Sequence, residues 1–118
     1  MHFDGRTWTA EPGTVDRLGP DDTGVWLIST VGAQHVWDLD RRLFTRFPRL
    51  TSSAGRMPYD GTAQRITRVQ TYPCIGSRLF IWFDEPSAGP ALSEHYRISS
   101  TIVTIRRLLP EPRSGAGA

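Results

Sequence analysis

Twenty glycines and prolines cut this chain of 118 residues into short runs of tryptophan, valine, isoleucine, threonine and phenylalanine. Runs of that length and composition suit a pleated, half-buried surface, so they read as strands joined by turns. No segment sustains a 3.6-residue apolar period between caps, which leaves room for little helix. A chain of this length can bury one core without disulfide or metal staples. The expected fold is a single all-β domain over residues 1–109, a small antiparallel barrel or roll built as a meander of about six or seven strands. Residues 110–118 read as a disordered tail.

The clearest stretch runs from Thr23 to Phe47. Gly24 to Thr30 is rich in β-branched and aromatic residues, Val31-Gly32-Ala33 supplies a turn, and Gln34 to Leu39 returns as the second strand of a hairpin. Carboxylates at Asp38 and Asp40 mark the next turn, and Leu43 to Phe47 forms a third strand. On the second strand His35, Trp37 and Leu39 share a face, with Trp37 pointing inward. The first strand is apolar on both faces, as is Ser77 to Asp84, so Trp26, Trp37 and Trp82 are all assigned to the core. Arg65 to Tyr72 carries two arginines and is expected at an exposed edge or face, and this strand and the long final strand are the candidate edges for pairing with a second copy. From His95 to Leu108 the apolar parity shifts, which a bulge near Ser99-Ser100 would reconcile. Residues 48–64 form the longest loop.

Charge is distributed unevenly along this chain. Residues 41–68 hold Arg41, Arg42, Arg46, Arg49, Arg56, Arg65 and Arg68 against Asp60 alone, a net of +6, whereas the other ninety residues hold seven arginines and eleven acids, a net of −4. The absence of lysine and asparagine, whose codons both begin with AA, points to a GC-rich genome and explains why the cations are arginines. It does not explain their clustering. Guanidinium groups fit carboxylate and phosphate in a bidentate way, so the cluster points to an acidic partner. The opposing reading is a solvated face neutralised by acids from elsewhere in the fold, such as Asp21, Asp22, Asp84 or Glu85.

Catalytic and metal-binding patterns are weak. In the string His35, Asp38, Asp40 the histidine lies on the opposite strand face from both acids, so the acids read as turn carboxylates facing Arg41 or Arg42. Ser93, Glu94 and His95 are neighbours on a strand, point apart, and lack the context of a nucleophile elbow. His2 sits at a fraying terminus. Cys74 is the lone cysteine, without a local cation or helix terminus to activate it, and reads as a half-buried inert thiol. No catalytic residue, metal ligand or cofactor is assigned, and the protein is not expected to be an enzyme. With no apolar run of signal-peptide or membrane length after Met1, a cytoplasmic protein with no membrane partner is expected.

The pattern Trp26-Leu27-Ile28-Ser29-Thr30, a glycine turn, His35-Val36-Trp37-Asp38-Leu39-Asp40 and Arg46 before Pro48 resembles small uncharacterised proteins of actinobacteria and their phages. The resemblance implies a β meander, a GC-rich host, and an origin in a phage or mobile element; in the phage case the host cytoplasm is the location. It implies no activity. Gly13-Thr14-Val15 followed by a meander is similar, more loosely, to SH3-like barrels.

The leading expectation is a binding protein that grips an acidic protein partner with Arg42, Arg46, Arg49, Arg56, Arg65 and Arg68. Phe44 is placed beside Arg42 and Arg46 on one strand face, and Tyr59 on the long loop. The alternative is a nucleic-acid-binding barrel using the same arginines with Phe44 and Tyr59 as stacking residues. A third is a structural subunit that pairs strand edges with a second copy.

Overall fold

A computed structural model describes residues 1–49, 59–84 and 94–112. Its strands are β1 (His2–Phe3), β2 (Arg6–Ala10), β3 (Val25–Thr30), β4 (Ala33–Asp38), β5 (Leu43–Pro48), β6 (Gln64–Thr71), β7 (Phe80–Asp84), β8 (Glu94–Ile98) and β9 (Ile102–Pro110). No helix occurs among the described residues. All nine strands belong to one antiparallel sheet that follows chain order, except that β9 inserts between β2 and β3.

Turn chemistry explains the hairpins. Asp4 and Gly5 both take positive φ, 53° and 70°, the two-residue turn whose twist matches its flanking strands. At the β4–β5 turn Asp38 accepts from the backbone N–H groups of Asp40 and Arg41, each at 3.0 Å. Asp40 accepts from the Gly24 N–H at 3.0 Å and so ties this turn to the start of β3. Gly24 has φ 92°, a conformation that favours glycine, and a Cβ there would push the Arg107 guanidinium, 3.1 Å away, slightly aside.

The β5–β6 ladder is short: Leu43 and Phe44 oppose Arg65 and Gln64, and the strands then splay. The sheet thereby bends back on itself, with β9, β3, β4 and β5 in one half and β6, β7 and β8 in the other. At the far side the Gly76 N–H reaches the Ile102 carbonyl at 2.9 Å, and the Ile102 N–H reaches the Ser77 carbonyl at 2.8 Å. These bonds draw the ends of the roll together without closing the sheet. Between the halves lies a core of Ile28, Trp37, Phe44, Ile66, Ile81, Phe83 and Ile105. Trp8, Val25, Val36 and Leu108 form a second cluster on the other face, where Phe3 stacks on Trp8 with ring centroids 4.9 Å apart.

The described residues form nine strands where about six or seven are expected. The Asp4-Gly5 turn adds β1, and the stretch 95–108 is two strands with different neighbours, joined by a corner at residues 99–101. The parity shift there is resolved inside β9: Ile105 opposes Ile28, Ile102 opposes Thr30, and the register slips between Ser29 and Thr30 so that Ile102 and Ile105 both face the core. The final strand is central, between β2 and β3, which corrects the expectation that it forms an edge. Strand β6 also has neighbours on both sides, although its contact with β5 covers two residues. The ends of the sheet are β1 and β8.

Pro110 closes β9, and the Glu111 N–H donates to the Thr7 carbonyl at 2.9 Å, so the chain stays ordered against β2 beyond residue 109. Residues 113–118 of the expected tail lie outside the described residues, as do residues 50–58 of the long loop.

Candidate functional site

The basic stretch is dispersed by the fold. Arg41 donates to Asp38 and to Asp4, both at 2.7 Å, and these bonds hold it more firmly protonated than an ordinary arginine. Arg65 on β6 pairs with Asp84 on β7. Asp4, Asp38 and Asp84 all come from outside the stretch, which realises the neutralised-face reading for Arg41 and Arg65. Arg49 is exposed and donates through Nε to the Thr30 carbonyl at 3.1 Å. Arg42 is exposed at the β4–β5 turn with φ 56°. Arg56 lies outside the described residues.

Three expected surface residues point inward. Phe44 is a core residue, edge-to-face with Phe83 at 5.1 Å, because it stands opposite Trp37 on the inner face. Tyr59 is half-buried and packs on the same core, its ring 6.1 Å from Phe83 and 5.6 Å from His95. Arg46 opposes His35 and projects into the roll, where its side chain is 5% exposed.

Arg46 meets Asp60 there at 2.6 Å, and Arg97 of β8 reaches the same carboxylate at 3.6 Å. Asp60 is brought inward by a tight turn in which Tyr59 and Gly61 have φ of 70° and 77°, and the Gly61 N–H donates to the Arg46 carbonyl at 2.7 Å. His35, 1% exposed, completes this interior group. Its pKa is pushed down to about 3, by burial first and then by the positive charges of Arg46 and Arg97, so the imidazole is neutral near pH 7. Burial, and then Arg46, also lower the Arg97 pKa.

Arg68 is the exception to this dispersal. On a regular strand Arg65 and Arg68, three apart, would face opposite ways. A register shift between Ile66 and Arg68 places Arg65 opposite Asp84 and Arg68 opposite Trp82, so both project from the outer face. The Arg68 guanidinium lies 4.7 Å from the Trp82 ring centroid. Trp82 contacts Phe80 at 5.8 Å and Tyr96 at 5.5 Å, and Phe80 meets Tyr96 at 5.8 Å. Trp82 is half-buried on this face, which corrects its assignment to the core, because Ile81 and Phe83 take the inner positions. Tyr96 is 61% exposed and Ile98 48%, so the outer face of β6, β7 and β8 presents an aromatic and aliphatic surface with a cation at its centre.

Sequence reasoning missed Phe80, Trp82, Tyr96 and Ile98 as surface residues. The signal was the doubled apolar pattern of β7, which was read as burial on both sides. Strand β8 inverts the usual pattern, placing His95 and Arg97 inward and Tyr96 and Ile98 outward, and the buried carboxylate of Asp60 offsets the charge of Arg97 there.

Among the described residues no group of three or more His, Cys, Asp or Glu side chains could hold a metal ion. Asp38 serves its turn, as the sequence implied, while His35 lies on the other face of β4. Cys74 is half-buried, in an isolated bridge to Arg17. No helix among the described residues is long and apolar enough to cross a membrane. No protein-family model, curated protein or solved structure matches the chain.

Proposed function

We propose that the protein is a non-enzymatic binding protein that docks an acidic partner protein on the outer face of β6, β7 and β8. The observation that carries this reading is the placement of Arg68 over Trp82, with Phe80, Tyr96 and Ile98 around them. Tryptophan, tyrosine and arginine are the residues that dominate binding energy at protein interfaces. Arg68 makes no ion pair within the described residues, so a carboxylate from a partner can reach it, and the rings beside it exclude water from that contact. Arg65 widens the basic area but is shared with Asp84. The mutual contacts of the three rings, with Arg68 over one of them, favour a packed protein interface over free ring faces for stacking bases.

Affinity capture from a lysate of the source cell, followed by titration of the purified partner, tests this reading. Arg68→Glu and Tyr96→Ala should each weaken binding by about 30-fold, the scale of a hot-spot residue. Unchanged affinity in both variants would remove the assignment of this face. Titration with labelled DNA and RNA at about 50 and about 200 mM salt addresses the nucleic-acid reading, for which several phosphate contacts would give at least a tenfold loss over that range.

A further inference from the structure

A pocket of about 280 Å³ opens on the face of β4 and β5 that turns away from the main core, between the β1–β2 turn and the stretch 61–63. Trp37, Phe44 and Arg46 take the inner face, so the cross-strand pairs Val36–Thr45 and Asp38–Leu43 form its floor. Phe3 walls it, fixed in place by its stack on Trp8, and Ala63 adds a further apolar contact. Arg41 ties the β1–β2 turn to the sheet by donating at once to Asp4 and Asp38. A preformed, mostly apolar cleft with a few convergent polar groups is the ordinary form of a small-molecule site.

The polar groups define what it can hold. Thr45 is 7% exposed, and its hydroxyl makes no hydrogen bond with any described residue, so it is left to serve a guest. Asp38 has no such freedom: Oδ1 accepts from two backbone N–H groups and Oδ2 from Arg41. Asp4 engages Arg41 through Oδ2 alone, which leaves Oδ1 as an acceptor at the rim. With Asp4 and Asp38 against Arg41, the lining carries one net negative charge. A second pocket shares these three residues and adds Asp40 and Arg6, which cancel, so the sign is unchanged. Such a place disfavours an anion and favours an ammonium group. The volume is that of roughly nine waters, room for a single ring with a short arm and too little for a nucleotide.

We propose that the pocket bounded by Phe3, Asp4, Val36 and Thr45 binds a small apolar amine, with its hydrocarbon over Phe3, Val36 and Leu43 and its ammonium group directed to the acceptors of Asp4 and Thr45. The site is independent of the outer face of β6, β7 and β8.

Methyl NMR of the full chain, titrated with phenethylamine, phenethyl alcohol and phenylacetate at neutral pH and constant ionic strength, tests this. The three probes share a ring and differ in the charge of the head group. The Val36, Leu43 and Thr45 methyl signals should move saturably with the amine, at a Kd of about 1 mM. Binding should be about tenfold weaker with the alcohol and weaker again with the acid. Asp4→Asn, a residue that also tolerates the positive φ of the turn, should bring the amine down to the level of the alcohol. Methyl signals unmoved by about 10 mM amine would overturn the proposal, as would the alcohol or the acid binding as tightly as the amine. The three titrations of the native chain decide the matter should Asp4→Asn fail to fold.

Discussion

Arg46 and Asp60, fourteen residues apart in the chain, meet at 2.6 Å inside the roll, with side chains 5% and 2% exposed. The only acid of the basic stretch is thus taken into the interior by one of the arginines that surround it in sequence. A charge pair in such a place is neutral or mildly costly as a unit, but removing one member strands the other.

Asp60→Asn should therefore lower stability by about 3–5 kcal/mol. Arg65→Ala, which breaks the solvent-exposed pair with Asp84, should cost at most about 1 kcal/mol. Chemical denaturation of both variants under one set of conditions measures the contrast. Similar losses would contradict the burial difference between the two pairs.

His35 gives the fold a pH dependence of definite sign. Its folded pKa of about 3 lies below the ordinary histidine value of 6.5, so between these values the unfolded chain binds the extra proton. This contribution to stability is complete above about pH 6.5 and is lost as pH falls toward 3, with a slope approaching about 1.4 kcal/mol per pH unit. Denaturation midpoints across that range should show the slope in the native chain and a shallower one in His35→Gln.

Phe44→Ala should act through stability rather than recognition. The ring is buried against Phe83, so its loss should cost about 3–5 kcal/mol. Under conditions where the variant remains folded, affinity for the partner should stay within twofold of the native value.

The register shift in β6 makes its own prediction. Deleting Thr67 would restore regular pairing with β7 while keeping Arg68 opposite Trp82 and Val69 opposite Ile81. The shortened chain should therefore keep a cooperative unfolding transition, read by near-ultraviolet circular dichroism, and loss of that transition would contradict Thr67 as the extra residue. Thr67→Ser keeps the residue count and should leave the transition within about 0.5 kcal/mol of native.

Much of the fold was legible because strand signals are local. The Thr23 to Phe47 meander, the inward face of Trp37 and the turn role of Asp38 all follow from alternation and from side-chain chemistry within a few residues. The Asp4-Gly5 turn was equally legible, and overlooking it hid β1. The candidate site was harder to read. Arg65 and Arg68 share a face because of one extra residue in β6, and a register shift depends on what the neighbouring strand offers, which alternation along a single strand does not encode.

By itself the sequence determined an all-β chain, the composition of its strands and the concentration of seven arginines between residues 41 and 68. The tertiary structure alone decided where those charges went. A strand has two faces, and which one is buried depends on the strands packed across from it. Arg46 turned inward to meet Asp60, Arg41 and Arg65 found distant carboxylates, and Arg68 was left on the surface above Trp82. Electrostatic interactions fall with distance through space, and folding sets those distances without regard to separation along the chain.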